Sequence, residues 1–249
     1  MLYGAQILRV IAILFLFQSL PLSGENIPLP QNPFYPFVAA SSDLQFQKLK
    51  EKISLTLKNS WCSETKINLM MDVIYQIKPQ VCVEIGVFTG SSLLPVAATL
   101  KYLRLGKVYG IDAWSNEEAV KYMPPQDANY TWWSKVDMLA AKKASFNLIR
   151  LWKMNPYCTL IHAPSEMGVN YVPNKIDFLH LDGNFGEAGT LLDVQLFLPK
   201  VRSGGYILLS NLYQQLDGQF TKMAAMWTLF DTCEIIWNED HNIALFRKN

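Results

Sequence analysis

The alternation of apolar and polar positions divides the chain into a short apolar leader, a proline-rich strap and a long patterned domain. Positions 7–17 are apolar almost without a break, interrupted by Arg9, and Gln18-Ser19-Leu20-Pro21-Leu22-Ser23-Gly24 follows. A run that short, ending in a proline-containing polar segment, reads as the core of an export signal over residues 1–24. An uncleaved anchor through residues 5–22 or a misassigned start are the alternatives, because a spanning helix needs about 20 apolar residues. Residues 25–42 carry Pro28, Pro30, Pro33 and Pro36. Proline removes backbone donors and restricts the residue before it, so this stretch is a linker or an extended strap.

The domain follows over residues 43–249. Leu44, Leu49, Ile53 and Leu57 recur at helical spacing, and so do Ile67, Met70, Met71, Ile74 and Ile77. Ser63 opens the second of these helices, with Lys66 standing where a capping box wants Glu or Gln, and Pro79 ends it. Strand and helix patterns then take turns. Strands are expected at 81–85, 107–111, 158–162, 176–181 and 206–209, with closing strands at 233–237 and 242–246. Helices are expected at 91–103, 134–153, 189–198 and 221–230, and 113–133 reads as an irregular polar-aromatic stretch. This predicts an α/β fold: a Rossmann-like, doubly wound sheet of about seven strands, mostly parallel with an antiparallel C-terminal strand, plus N-terminal helices.

Composition narrows the function. The chain has 22 Lys and Arg against 21 Asp and Glu, so it has neither the basic stripe of a nucleic-acid binder nor a polybasic membrane tract. Cys62, Cys82, Cys158 and Cys233 form no CxxC pair and no zinc-spaced cluster, and read as buried thiols.

The candidate chemistry gathers at strand ends. Val81-Cys82-Val83-Glu84-Ile85 runs into Gly86-Val87-Phe88-Thr89-Gly90 and then a helix start at Ser91-Ser92. In an open parallel sheet the ligand lies beyond the carboxyl ends of the strands, near the point where strand order reverses. Glu84, Asp112 and Asp182 each close or nearly close an expected strand. An acid after the second strand, about 20 residues past a glycine turn, suits the two hydroxyls of a ribose. The plainer alternatives are that both glycines serve the turn alone and that Asp112 and Asp182 are helix caps. His180 lies two residues from Asp182 on the same strand face, as a core residue or a base. Trp114, Tyr130, Trp132 and Trp133 either line an acceptor pocket or pack their loop down.

These residues resemble the class I S-adenosylmethionine-dependent methyltransferases, in the branch called methyltransferase domain 24. The resemblance rests on Val83-Glu84-Ile85-Gly86-Val87-Phe88-Thr89-Gly90-Ser91, on Gly110-Ile111-Asp112-Ala113-Trp114, and on Ile176-Asp177-Phe178-Leu179-His180-Leu181-Asp182-Gly183-Asn184 running on to Gly204-Gly205. It implies that Glu84, Gly86 and Gly90, with Ser91 beside them, hold the methionine end of the cofactor. It also implies Asp112 on the ribose, Ser165 near the adenine and Asp182 at the methyl-transfer region, with Asp182 or His180 as the candidate base. The expected cofactor is S-adenosylmethionine and the expected acceptor a small molecule with a hydroxyl.

Some positions depart from the family pattern. Asn184-Phe185-Gly186 stands where His and Tyr are usual, Ala163-Pro164-Ser165 replaces Gly-Asp-Ser, and the fifth strand ends in Ser210-Asn211. Catechol-type relatives hold a divalent metal with the strand-four Asp and an Asp-Asn pair. Only Asp182 and Asn211 survive here, so no metal is expected. A nicotinamide oxidoreductase would need GxGxxG, which the sequence lacks. A non-catalytic exported or membrane-associated module on the same fold is the alternative, since the leader points out of the cytoplasm while S-adenosylmethionine is found within it.

Overall fold

The computed structural model describes residues 35–37, 40, 42–239 and 242–249. The export-like leader, most of the proline strap and His241 lie outside them. The strap's last residues dock on the domain. Tyr35 donates to Asp72 Oδ2 (2.9 Å) and meets Trp237 edge-on, and Phe37 is buried.

Helices α1 (Leu44–Thr56) and α2 (Glu64–Ile77) form because their apolar stripes are capped. Asp43 accepts the Phe46 N–H and the hydroxyls of Tyr75 and Tyr102, joining α1 to two later elements. Ser63 accepts the Lys66 N–H at 3.2 Å, so the imperfect capping box does start α2.

The core alternates as expected. It runs β1 (Val81–Ile85), α3 (Leu93–Leu103), β2 (Lys107–Asp112), α4 (Asn116–Val120), α5 (Ala128–Trp133), α6 (Met138–Leu151) and β3 (Cys158–His162). It continues through α7 (Ser165–Gly168), β4 (Ile176–Leu181), α8 (Glu187–Phe197), β5 (Val201–Ser210), the hairpin β6 (Gln215–Leu216) and β7 (Gln219–Phe220), α9 (Met223–Thr232), β8 (Cys233–Glu239) and β9 (Ile243–Lys248).

The seven-stranded sheet has the order β3-β2-β1-β4-β5-β9-β8, with β9 antiparallel to both neighbours and the other pairs parallel. Cys82, Val83, Glu84 and Ile85 are all buried, as a central strand covered on both faces requires. After β3 the chain returns to lay β4 beside β1, and this reversal is the crevice where such sheets bind ligands.

Three local expectations are corrected. The stretch 113–133 is not irregular: Ser115 and Asp127 cap α4 and α5 by accepting the N–H groups of Glu118 and Asn129. Helix α6 begins at Met138 rather than 134, because Asp137 caps it. Strand β5 starts at Val201, and its ladder with β4 slips register between Ile176 and Phe178 beside Gly204-Gly205. Among the described residues no helix is long and apolar enough to cross a membrane.

Candidate active site

The loop after β1 is built from strained backbone. Gly86 and Gly90 have φ of +87° and +89°, and Phe88 between them has φ 47°. At Gly86 crowding adds to the strain, since a Cβ there would collide with the Asp182 carbonyl oxygen. At Gly90 the nearest atoms stand 3.4 Å away, so backbone conformation is the requirement.

Asp112 ties this loop to the end of β2. Its Oδ2 accepts the N–H groups of Val87 (2.9 Å) and Phe88 (2.8 Å), and Oδ1 accepts that of Trp114 (2.6 Å). Trp114, itself at φ 40°, returns a bond from Nε1 to the Phe88 carbonyl at 2.8 Å. Burial pushes the Asp112 carboxyl up, against the three N–H groups that hold it down, and the net direction is up. A carboxylate has about four acceptor sites, so about one is left for a ligand hydroxyl.

Behind the loop lies a hydrogen-bonded chain that strand register creates. Glu84 on β1 stands opposite His180 on β4. Ser92 donates to Glu84 Oε1 (2.7 Å), Glu84 Oε2 meets His180 Nδ1 (3.1 Å), and His180 Nε2 meets Ser210 Oγ (2.9 Å). Burial is the main cause of both shifts in this pair. It raises Glu84 to about 8, against the pull of Ser92 and Lys66, and lowers His180 to about 3. Near neutral pH the two therefore form a neutral hydrogen-bonded pair rather than an ion pair, with the Glu84 carboxyl as donor to Nδ1.

The sign of the pH effect follows from those shifts. A folded-state pKa near 8 lies above the ordinary 4.5, so the Glu84 contribution is fully present below the ordinary value and is lost as pH rises through about 8. Glu84→Gln mimics the neutral carboxyl and does not titrate. In urea denaturation from acid to alkaline pH, the wild type should lose stability relative to Glu84→Gln across that window. Parallel curves for the two proteins would refute the buried neutral carboxyl.

A cavity of about 450 Å³ opens beyond the carboxyl ends of β1, β2 and β4. Of the candidate residues, Gly86, Ser91, Asp112, Ser165 and Asp182 line it. Glu84, Gly90 and His180 do not. Glu84 and His180 brace the floor from behind, and both ring nitrogens of His180 are engaged within the protein. Its Nε2 lies 3.7 Å from Asp182 Oδ2, so His180 buttresses Asp182 and does not meet a ligand directly.

The structure adds residues that the motifs do not reveal. Lys66 reaches from α2 to bond Asp182 Oδ2 at 2.6 Å, and Asn211 donates to Asp182 Oδ1 at 2.6 Å. At the mouth Trp61 stacks on Phe88 with centroids 5.1 Å apart, and Trp133 meets both Phe88 (5.4 Å) and Phe185 (5.3 Å). Trp61 and Trp132 keep 67% and 45% of their surface exposed, which suits a lining for a ligand that enters from solvent. Trp114 is buried and pins the glycine loop instead, and Tyr130 does not line the cavity. Lys222 holds the segment after β4 in place, donating from within the core to the Asn184 carbonyl (2.7 Å) and Thr190 Oγ1 (2.6 Å).

A family model of a methyltransferase domain matches residues 83–212, from the β1 acid through the cavity-lining Asn211. A search of curated protein sequences finds no match. Among solved structures, a protein assigned as a caffeoyl-CoA O-methyltransferase from Staphylococcus aureus superposes with a TM-score of 0.56, at 12% identity over 81% of this chain and 91% of that one. Cofactor-bound Rv0187 from MTB superposes with a TM-score of 0.54, at 14% identity over 88% of this chain and 99% of that one. An O-methyltransferase from Bacillus cereus in complex with SAH gives 0.52, at 12% identity over 84% and 94%. These likenesses establish a shared fold, and the family match covers most of the cavity lining, with Trp61, Cys62 and Lys66 lying before it. The chain belongs to the methyltransferase domain family.

Proposed function

We propose that this protein transfers the methyl group of S-adenosylmethionine to the hydroxyl of a small molecule. The observation that carries the reading is one continuous cavity with different chemistry at its two ends. One end offers the spare acceptor site of Asp112 and the hydroxyls of Ser91 and Ser165, a polar set that fits a ribose, an adenine edge and an amino-acid tail. The other end offers Lys66, Asp182 and Asn211 under an aromatic mouth, where an acceptor would enter.

Bound cofactor supplies an electrophilic methyl group on a positively charged sulfur. The protein's share of the work is positioning, since in-line displacement needs the attacking oxygen aligned and water excluded. Asp182, which follows β4, is placed to take the acceptor's proton, and Lys66 and Asn211 fix its orientation. Trp61, Phe88, Trp132 and Trp133 would hold the acceptor by its apolar face.

Calorimetric titration of the full chain with S-adenosylmethionine, alongside NAD, tests the cofactor. One-to-one micromolar binding of S-adenosylmethionine with no heat from NAD is the expected result. A well-folded protein that binds NAD, or binds neither, would overturn the reading.

A further inference from the structure

The site around Asp182 does not fit the divalent metal that catechol-type relatives of the fold employ. A metal would need oxygen ligands converging from the strand-four acid and the end of strand five. Here the Asn211 amide nitrogen points at Asp182 Oδ1, and its orientation is fixed because a carboxylate only accepts hydrogen bonds. Ser210, where those relatives carry an acid, is buried and turned to His180. Among the described residues no group of three or more His, Cys, Asp or Glu side chains is arranged to hold a metal.

The position beside Asp182 Oδ2 is taken by the Lys66 ammonium instead. Lys66 is 7% exposed, and its amine makes one hydrogen bond among the described residues, the 2.6 Å bond to Asp182. An ammonium has three donors. Two are therefore left over in a residue that lines the cavity, next to the carboxylate placed to take the acceptor's proton. A buried charge with unspent donors is costly unless something else completes its shell. An acceptor oxygen that becomes negative during reaction would do so.

We infer that Lys66 is the cation of this active site, standing where relatives place a metal ion and directing its free N–H groups at the acceptor oxygen. The inference rests on the methyl-transfer reading above. As that oxygen attacks, its proton passes to the Asp182 carboxylate and a lone pair forms the O–CH₃ bond. The S–CH₃ bond breaks with its electrons going to sulfur, which becomes neutral, and the proton then leaves Asp182 for water. Lys66 stays charged throughout and stabilises the developing oxyanion, the role of a preorganised donor.

Manganese binding followed by electron paramagnetic resonance tests this without knowledge of the acceptor. Wild type, Lys66→Ala, Asp182→Asn and Lys66→Ala/Asp182→Asn would be titrated with Mn²⁺, each also assayed for S-adenosylmethionine binding. The wild type is expected to leave Mn²⁺ free into the millimolar range, the weak end for protein sites. Lys66→Ala, which vacates the cation position, should bind it at least tenfold more tightly, and the double variant should lose that gain. Mn²⁺ uptake by the wild type that Asp182→Asn abolishes would overturn the inference, even if Lys66→Ala fails to fold. So would a folded Lys66→Ala that gains nothing. Loss of S-adenosylmethionine binding in all proteins would refute the cofactor reading separately.

Discussion

Replacing Asp112 by alanine is expected to weaken S-adenosylmethionine binding about a hundredfold, a loss of ~2.7 kcal/mol. Two effects add. The direct one is removal of the acceptor site left for a ribose hydroxyl, and a hydrogen bond to a charged group contributes roughly 1.5–3 kcal/mol. The indirect one is the glycine loop, because the N–H groups of Val87, Phe88 and Trp114 all lose their partner. Phe88 and Trp114 sit at positive φ, a conformation that persists only while the surroundings enforce it. Asp112→Asn separates the two, since it keeps the shape and one acceptor oxygen but loses the charge and faces an N–H with its own amide. It should bind more tightly than the alanine variant and less tightly than wild type by calorimetry. Unchanged affinity in the alanine variant would remove Asp112 from the cofactor site.

Gly86→Ala is expected to destabilise the fold by about 4 kcal/mol, from overpacking against rigid backbone and a left-handed φ that costs an alanine about 1–2 kcal/mol. The added methyl would run into the Asp182 carbonyl oxygen and stand only 2.7 Å from the Gly183 Cα. Nothing flexible can yield there. Gly86 N–H bonds the Ile111 carbonyl and Asp182 N–H bonds the Ile85 carbonyl, both at 3.0 Å, so parting the chains breaks the ends of the β1 ladders. Gly218 is the control, with φ +76° and nothing within 4 Å of where a methyl would stand. Gly218→Ala should cost only the conformational part, about 1–2 kcal/mol in urea denaturation. Equal losses in the two variants would mean that strand approach is not what requires glycine at 86.

Much of the architecture could be read from the chain because its signals are local. Alternating strand and helix patterns, a proline after α2 and paired glycines after β1 each act within a few residues. The missed helices α4 and α5 had signals of the same kind, Ser115 with Glu118 and Asp127 with Asn129, hidden among aromatics that suggested a loop. The turn at Asp217-Gly218 is another, with both residues at positive φ as a tight hairpin needs. The site was only partly legible. Asp112, Asp182, Gly86, Ser91 and Ser165 reach the cavity because a residue that follows a parallel strand faces the crevice wherever that strand lies at the switch point.

Lys66 shows where local reasoning stops. At the third position of α2 a lysine reads as a flaw in a capping box, yet its backbone N–H satisfies the cap while its side chain crosses to Asp182, 116 positions along the chain. A break with a local rule is often the trace of a functional demand made elsewhere. The order of elements, the parallel sheet and the acids at strand ends are all written in the linear chain, since periodicity, capping and glycine conformation are properties of neighbouring residues. It took the folded arrangement to pair Glu84 with His180 as a buried neutral couple, to set Lys66 against Asp182, and to bring Trp61 to Phe88 and Trp133 at the mouth. Those pairings depend on strand register and on which helix covers which sheet edge, and burial and charge act on them only once distant segments have come together.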